Sequence, residues 1–244
     1  MKFFSFLLIA ILTVVPAFAQ ADRSIPVDDP AENVETANNR AGSAARVFDE
    51  LMSKPDSAVP QALLDKAEAV IIIPGAIRAA FGIGGRGGRG IVTRRTTNGW
   101  SEPVFVKIGG GSFGAQIGVT QTDYVFLVMN QSGLKGLMDD GFELGGDIGA
   151  TAGPVGREAS ASTNLTLNAE ILSYSRSRGL FAGVALRGIR IYADDSLNQK
   201  VYNRTGKEIL EREAGLPMAD IPESLRIVPE TVSRHSSRIE TAAN

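Results

Sequence analysis

Glycines sit inside the strand-forming segments of this chain, and that narrows the folds open to it. From Val70 onward, apolar and β-branched runs follow one another: VIII, GIVTRRT, PVFVKIG, AQIGVTQ, DYVFLVMN, ATAGPVG, ILSYSRSRG and FAGVALRGIRIYA. Only a short helical stretch, SGLKGLMDD, interrupts them. Glycine recurs within these runs, as in FGIGGRGGRG from Phe81 to Gly90 and in IGGGSFGAQIGV. Such glycines weaken a flat strand and mark bulges, sharp bends or places where a second backbone comes close. The sequence therefore predicts an α+β fold: a strongly bent antiparallel sheet, barrel or sandwich-like, with N-terminal helices packed against it.

Two glycine motifs invite catalytic or nucleotide readings. Gly82, Gly84 and Gly87 fit G-x-G-x-x-G, but the fingerprint binds a dinucleotide only where a helix follows the turn. Here Ile91, Val92 and Thr93 lead to Asn98-Gly99, strand composition ending in a hairpin signal. No ribose-binding acid stands about 20 residues further on. Gly110-Gly111-Ser112-Phe113-Gly114 fits G-x-S-x-G, which needs a strand-to-helix elbow and a histidine base. The order Ser112, Asp194, His235 is formally permitted, so a serine hydrolase stands as a rival. Asp139-Asp140-Gly141 and Asp194-Asp195 lack the alternating oxygen ligands of a calcium loop, and no metal or cofactor is expected. Asn164-Leu165-Thr166 and Asn203-Arg204-Thr205 are glycosylation sequons by pattern alone.

The segment from Asp29 to Ala69 is helical in pattern. Asp29-Pro30-Ala31-Glu32 has the form of a helix start. Val34, Ala37, Ala41, Ala44, Phe48 and Leu51 then recur at spacings of three and four, a narrow stripe of small residues that lets a helix lie close on its partner. Glu32, Glu35, Asp49, Glu50, Arg40 and Arg46 make up its polar face. Ser53 to Pro60 breaks it, and PQALLDKAEA forms a second, shorter helix. Ahead of it, Met1 to Ala19 is laid out as a secretory leader: Lys2, an apolar run, Pro16, then Ala17 and Ala19. The expected division is residues 1–19 as that leader, 20–31 as a polar spacer, 32–228 as one domain and 229–244 as a polar tail. Export to the periplasm or beyond follows as an expectation. The 244 residues include no cysteine, which removes disulfides, thiolate metal sites and cysteine nucleophiles.

Net charge is −2, which argues against a general nucleic-acid binder. Its distribution is uneven. Arg78, Arg86, Arg89, Arg94, Arg95 and Lys107 face the single acid Glu102, whereas the stretch from Gln121 to Glu170 is acidic. In ILSYSRSRG, small and large residues alternate from Ser173 to Gly179. In a strand, alternate residues share a face at steps of roughly 6.6 Å, so Tyr174, Arg176 and Arg178 line one side. A row of guanidinium forks suits phosphate. Pairing of the same arginines with the acids of the Gln121 to Glu170 region is the competing reading.

AEAVIIIPG, FGIGGRGGRGIV, GWSEPVFVKIGGGSFGAQIGVTQTDYVFLVMN, AGPVGREASA and ILSYSRSRGLFAGVALRG, in this order, resemble the SYLF domain, from about Arg46 to Asn203. The resemblance implies a non-enzymatic domain that binds membrane lipids, phosphoinositides in eukaryotic members, with actin binding in some. Here it implies recognition of anionic phospholipid headgroups at an envelope membrane surface, without actin. Arg78, Arg86, Arg89, Arg94, Arg95, Lys107, Tyr174, Arg176 and Arg178 are the site residues inferred for that role. A structural or partner-binding envelope protein is the other alternative.

Overall fold

Two long strands dominate the fold. β1 (Ala69–Thr96) and β3 (Val104–Val128) pair antiparallel from Ala69↔Val128 to Val92↔Val104, with irregularities between Ile73 and Ala76 and between Ala80 and Gly82. They are joined through β2 (Gly99–Trp100), which pairs with the end of β1 at the predicted Asn98-Gly99 turn. The structure is a computed structural model that describes residues 30–56, 58–139, 141–156, 169–177 and 179–236.

β1 does not run straight. The Arg95 N–H donates to the Glu68 carbonyl at 2.7 Å, so the strand's end lies beside its beginning. At Gly90 a Cβ would stand 2.1 Å from the Ile72 carbonyl oxygen, and at Gly88 one would stand 2.9 Å from the Ala76 Cβ. The return arm of β1 thus passes directly against its outgoing arm, and glycine is what allows the approach. This is the physical reason for FGIGGRGGRG: it folds a strand back on itself, within the sheet, with no helix following.

The other strands extend both flanks. β6 (Ile171–Arg176) pairs with the C-terminal part of β3, and β5 (Ala150–Ala152) and β7 (Ala182–Gly183) pair with β6. β8 (Ile189–Ala193) pairs with the N-terminal part of β3, and β4 (Phe142–Leu144) with β8. A bridge between Leu144 and Ile148 carries the chain from β4 toward β5, so the eight-stranded sheet is nearly closed. The expected bent, barrel-like antiparallel sheet with an N-terminal helix against it is what forms, with β5 and β6 pairing in parallel.

Alternation divides the sheet into two apolar faces. Val70, Ile72, Ile91, Phe105, Val125, Leu127, Leu172 and Tyr174 meet α1 (Pro30–Met52), α4 (Asp195–Tyr202) and α6 (Glu223–Arg234). Ile71, Ile73, Val92, Val106, Tyr124, Phe126, Ile171 and Ile191 meet α3 (Gln131–Met138) and α5 (Gly206–Leu210) on the opposite face. The helix α2 (Gln61–Leu64) precedes β1 and is shorter than PQALLDKAEA suggested. In α1 the buried stripe is Ala37, Ala41, Ala44, Phe48 and Leu51, as expected, but Val34 is 53% exposed and stands off the domain. The tail expected from residue 229 is not frayed at its start: Pro229, Thr231 and Val232 are buried in α6. The leader, the sequon at Asn164, Asp140 and Arg178 lie outside the described residues.

Candidate functional site

The nine site residues expected from the sequence do not form one cluster. Tyr174 is fully buried on the α1 face; its hydroxyl donates to the Pro154 carbonyl at 3.3 Å, and burial pushes its pKa up. It is a core residue, because β6 is an interior strand whose even positions are covered by α1. Arg176 lies on the same face and is fully occupied. Its Nε and Nη2 donate to Asp123 Oδ2 at 3.1 and 2.8 Å, and its Nη1 reaches Glu50 Oε2 at 2.5 Å. The guanidinium also stacks 4.8 Å over the Phe181 ring. Burial would lower its pKa, but the bonds to Asp123 and Glu50 outweigh that and hold it above the ordinary value. Pairing with the acidic region is therefore the outcome for Arg176.

Arg94 and Arg95 are anchored in the structure near the hairpin. Arg95 is buried over the Trp100 ring at 4.4 Å and donates to the Ala67 and Leu64 carbonyls at 3.0 and 2.9 Å. Arg94 donates to the Arg95 carbonyl at 3.2 Å and to that of Leu210. Lys107 bonds Asp194 Oδ1 at 2.6 Å. The other oxygen of Asp194 accepts from Arg40 at 2.9 Å. Arg40, assigned to the polar face of its helix from sequence, is instead buried and lies over the Phe105 ring at 5.4 Å. Burial alone would raise the pKa of Asp194, yet the bonds from Lys107 and Arg40 bring it below the ordinary aspartate value. Its place immediately before α4 suggests a helix cap, but both oxygens serve the sheet and α1 instead.

Of the expected site residues, Arg78, Arg86 and Arg89 have neither a carboxylate nor a backbone carbonyl bonded to the side chain among the described residues. All lie on the glycine-rich part of β1, opposite Thr120, Gly110 and Lys107 of β3 respectively. Arg78 and Arg86 are half-buried on the α3 face. Ala76 and Gly88 touch where β1 folds back, and two residues further along each arm stand Arg78 and Arg86, on the same face. The Nε of Arg78 and Nη1 of Arg86 are buried and have no hydrogen-bond acceptor. The Arg86 guanidinium lies 5.9 Å from the Tyr124 ring centroid. Buried donors are paired as a rule, and these two guanidinium nitrogens are free to take an acceptor. Arg89 projects to the α1 face and is exposed.

On the α1 face of the same stretch, Ile77 and Val119 are 55% and 74% exposed, diagonal neighbours across the Ala79↔Val119 pair. The fold-back region thus carries cations on one face and bare aliphatic side chains on the other. Neither the apolar pair nor Arg40 was picked out by the sequence. A lone arginine amid Ala37, Ala41 and Ala44 is the signal that would have found Arg40.

The serine hydrolase constellation is not assembled. Ser112 lies within β3, away from any strand-to-helix elbow; Asp194 is held by Arg40 and Lys107; His235 bonds Asp49 at 2.9 Å. No group of acidic or histidine side chains among the described residues could hold a metal ion.

A family model described as "Ysc84: Las17-binding protein actin regulator" matches residues 109–226. "LAS seventeen-binding protein 3" of Saccharomyces cerevisiae is 35% identical over 173 residues, 68% of this chain and 38% of the relative. "Protein YSC84" of the same species is 34% identical over 173 residues, 68% of this chain and 37% of the relative. "SH3 domain-containing YSC84-like protein 1" of Homo sapiens is 33% identical over 174 residues, 70% of this chain and 51% of the relative. The chain matches between 37% and 51% of the length of these relatives. With the folded-back glycine strand and the identity across two thirds of its length, the chain belongs to the Ysc84 family, the family of the SYLF domain.

Proposed function

We propose that this chain binds anionic phospholipid headgroups, using Arg78 and Arg86 at the fold-back of β1, and does no catalysis. The observation that carries the reading is the pair of half-buried arginines, Arg78 and Arg86, each with a buried guanidinium nitrogen that has no hydrogen-bond partner among the described residues. Ile77 and Val119, bare on the opposite face of the same fold-back, supply a second contribution. Each basic residue near an anionic surface contributes about 1 kcal/mol, so two or three arginines alone give only weak binding. Burial of an isoleucine or valine adds roughly 1.5–3 kcal/mol. Together they sum to about 5–9 kcal/mol, between sub-millimolar and sub-micromolar affinity. The leader-like first residues favour export, which would put this contact at the outward face of an envelope membrane.

Las17 binding is named for the family and for one longer yeast relative, and actin regulation for the family, so a partner-binding role is the reading that the test must separate. The full chain is floated with vesicles of phosphatidylcholine alone and with vesicles that also contain phosphatidylglycerol. Binding is expected only to the second, weakening as salt rises. Replacement of Arg78→Gln with Arg86→Gln is expected to reduce it roughly tenfold or more, about 1 kcal/mol per lost charge. Equal, poor flotation with both vesicles, or no change in the double variant, would overturn the proposal.

A further inference from the structure

A second basic cleft, on the other face of the sheet, is independent of the lipid-facing arginines. It has a volume of about 360 Å³ and is lined by Thr36, Asn39, Arg40 and Ser43 of α1 and by Pro74 and Arg89 of β1. Thr36, Arg40 and Ser43 recur at spacings of four and three, so they share the helix face that looks onto β1. The side chains of Thr36, Asn39 and Ser43 make no hydrogen bond with any described residue. Arg40 and Lys107 take the two oxygens of Asp194, and Arg89 has no carboxylate partner among the described residues. Arg89 stands directly opposite Lys107 in the β1–β3 register, a like-charge pair in which Asp194 bonds Lys107 and not Arg89. The charge of Arg89 also bears on Arg40, whose pKa is lowered first by burial and further by that neighbour, with Asp194 opposing.

We propose that this cleft is a site for a phosphate-class oxyanion, held by Arg89 and Arg40 and completed by the Thr36 and Ser43 hydroxyls. The arrangement has what a phosphate oxygen set requires: two guanidinium donors, two hydroxyls and an amide, in a recess lined by no carboxylate among the described residues. The ligand is either a soluble phosphate compound or a lipid headgroup presented along α1, since the chemistry is the same.

The test is a calorimetric titration of the full chain with inorganic phosphate, at ionic strength matched with chloride. Phosphate excluded from protein surfaces stabilises without saturating, so saturation is the sign of a site. Saturable binding is expected, with Arg89→Gln weakening it roughly tenfold, the size of one charge-assisted hydrogen bond. Thr36→Val is expected to act in the same direction. Arg86→Gln is expected to leave it unchanged, which keeps this site distinguishable from the lipid contact. A heat no greater than that of chloride, or wild-type binding in Arg89→Gln, would overturn the inference. Where the site stands, flotation of Arg89→Gln with phosphatidic acid vesicles identifies the source: unchanged flotation assigns a soluble phosphate compound, and reduced flotation assigns the headgroup.

Discussion

At the residue scale, glycines next to one another in the sequence do opposite work. Gly90 sits where the return arm of β1 presses on the outgoing arm, 2.1 Å from the Ile72 carbonyl for any added Cβ. No side-chain rotamer relieves that contact, because the opposing atom is backbone. Gly87, three residues earlier, has nothing within 4 Å of the same position. Gly90→Ala is accordingly expected to cost more than about 3 kcal/mol, the upper range for overpacking, or to prevent folding. Gly87→Ala is expected to be neutral or stabilising by up to about 1 kcal/mol, through the smaller conformational freedom of the unfolded chain. Urea unfolding of the two variants beside the parent separates them; equal losses would mean that the fold-back does not depend on a close backbone approach at Gly90. The same contrast bears on the motif question. Gly87 completes G-x-G-x-x-G and is sterically dispensable, whereas Gly90 lies outside the motif and is the one the fold needs.

At the scale of elements, α1 is held to the sheet by an apolar stripe and by one polar clasp. Arg176 of β6 bonds Asp123 of β3 and Glu50 of α1 at once, and Asp123 Oδ1 accepts the N–H of Gly75 at the bend of β1. One guanidinium therefore ties a helix, two strands and a bulge. Arg176→Gln is expected to destabilise by about 1–3 kcal/mol, less than for a fully buried pair because the three side chains are partly exposed. Arg176→Lys is expected to recover only part, since an ammonium cannot serve both carboxylates in the same fork. A denaturation midpoint for Arg176→Lys equal to that of the parent would refute the clasp. The α1 helix was legible from sequence because Ala37, Ala41, Ala44, Phe48 and Leu51 carry a local period. The strands were legible in composition, but their boundaries were not. GIVTRRT, PVFVKIG, AQIGVTQ and DYVFLVMN belong to two continuous strands, because the glycines that look like ends act as bends. The clasp was half legible: alternation in ILSYSRSRG correctly puts Tyr174 and Arg176 on one face. That this face is covered by α1, and that Asp123 lies opposite Arg176, depends on a register that no local pattern fixes.

At the scale of the whole molecule, antiparallel pairing interleaves a basic segment with its acidic neighbours, and the outcome differs from end to end. Near the hairpin and on the α1 face, the cations are absorbed by Asp194, Asp123, Glu50 and backbone carbonyls; at the fold-back, Arg78, Arg86 and Arg89 are left over. Those absorbed pairs make stability depend on acid. Asp194 and Glu50 both have pKa values below their ordinary 3.8 and 4.5: for Glu50 the bond from Arg176 is the main cause, while for Asp194 the bonds from Lys107 and Arg40 outweigh burial. A carboxylate depressed in the folded state binds fewer protons there than in the unfolded chain, so stability rises with pH through that range. The contribution is fully present above the ordinary values and is lost as pH falls through the lowered ones. Asp194 dominates, because its side chain is 5% exposed against 36% for Glu50, where solvent screens the interaction. Asp194→Asn is therefore expected to lose about 3–5 kcal/mol at neutral pH, where it leaves the buried Arg40 uncompensated. As pH falls from above the ordinary aspartate value of 3.8 through the lowered one, its stability curve is expected to be flatter than the parent's, since the titrating group is gone. Urea unfolding at intervals across that range measures both slopes; parallel curves would show that the acid sensitivity of the fold resides elsewhere than in the bond between α1 and the start of α4.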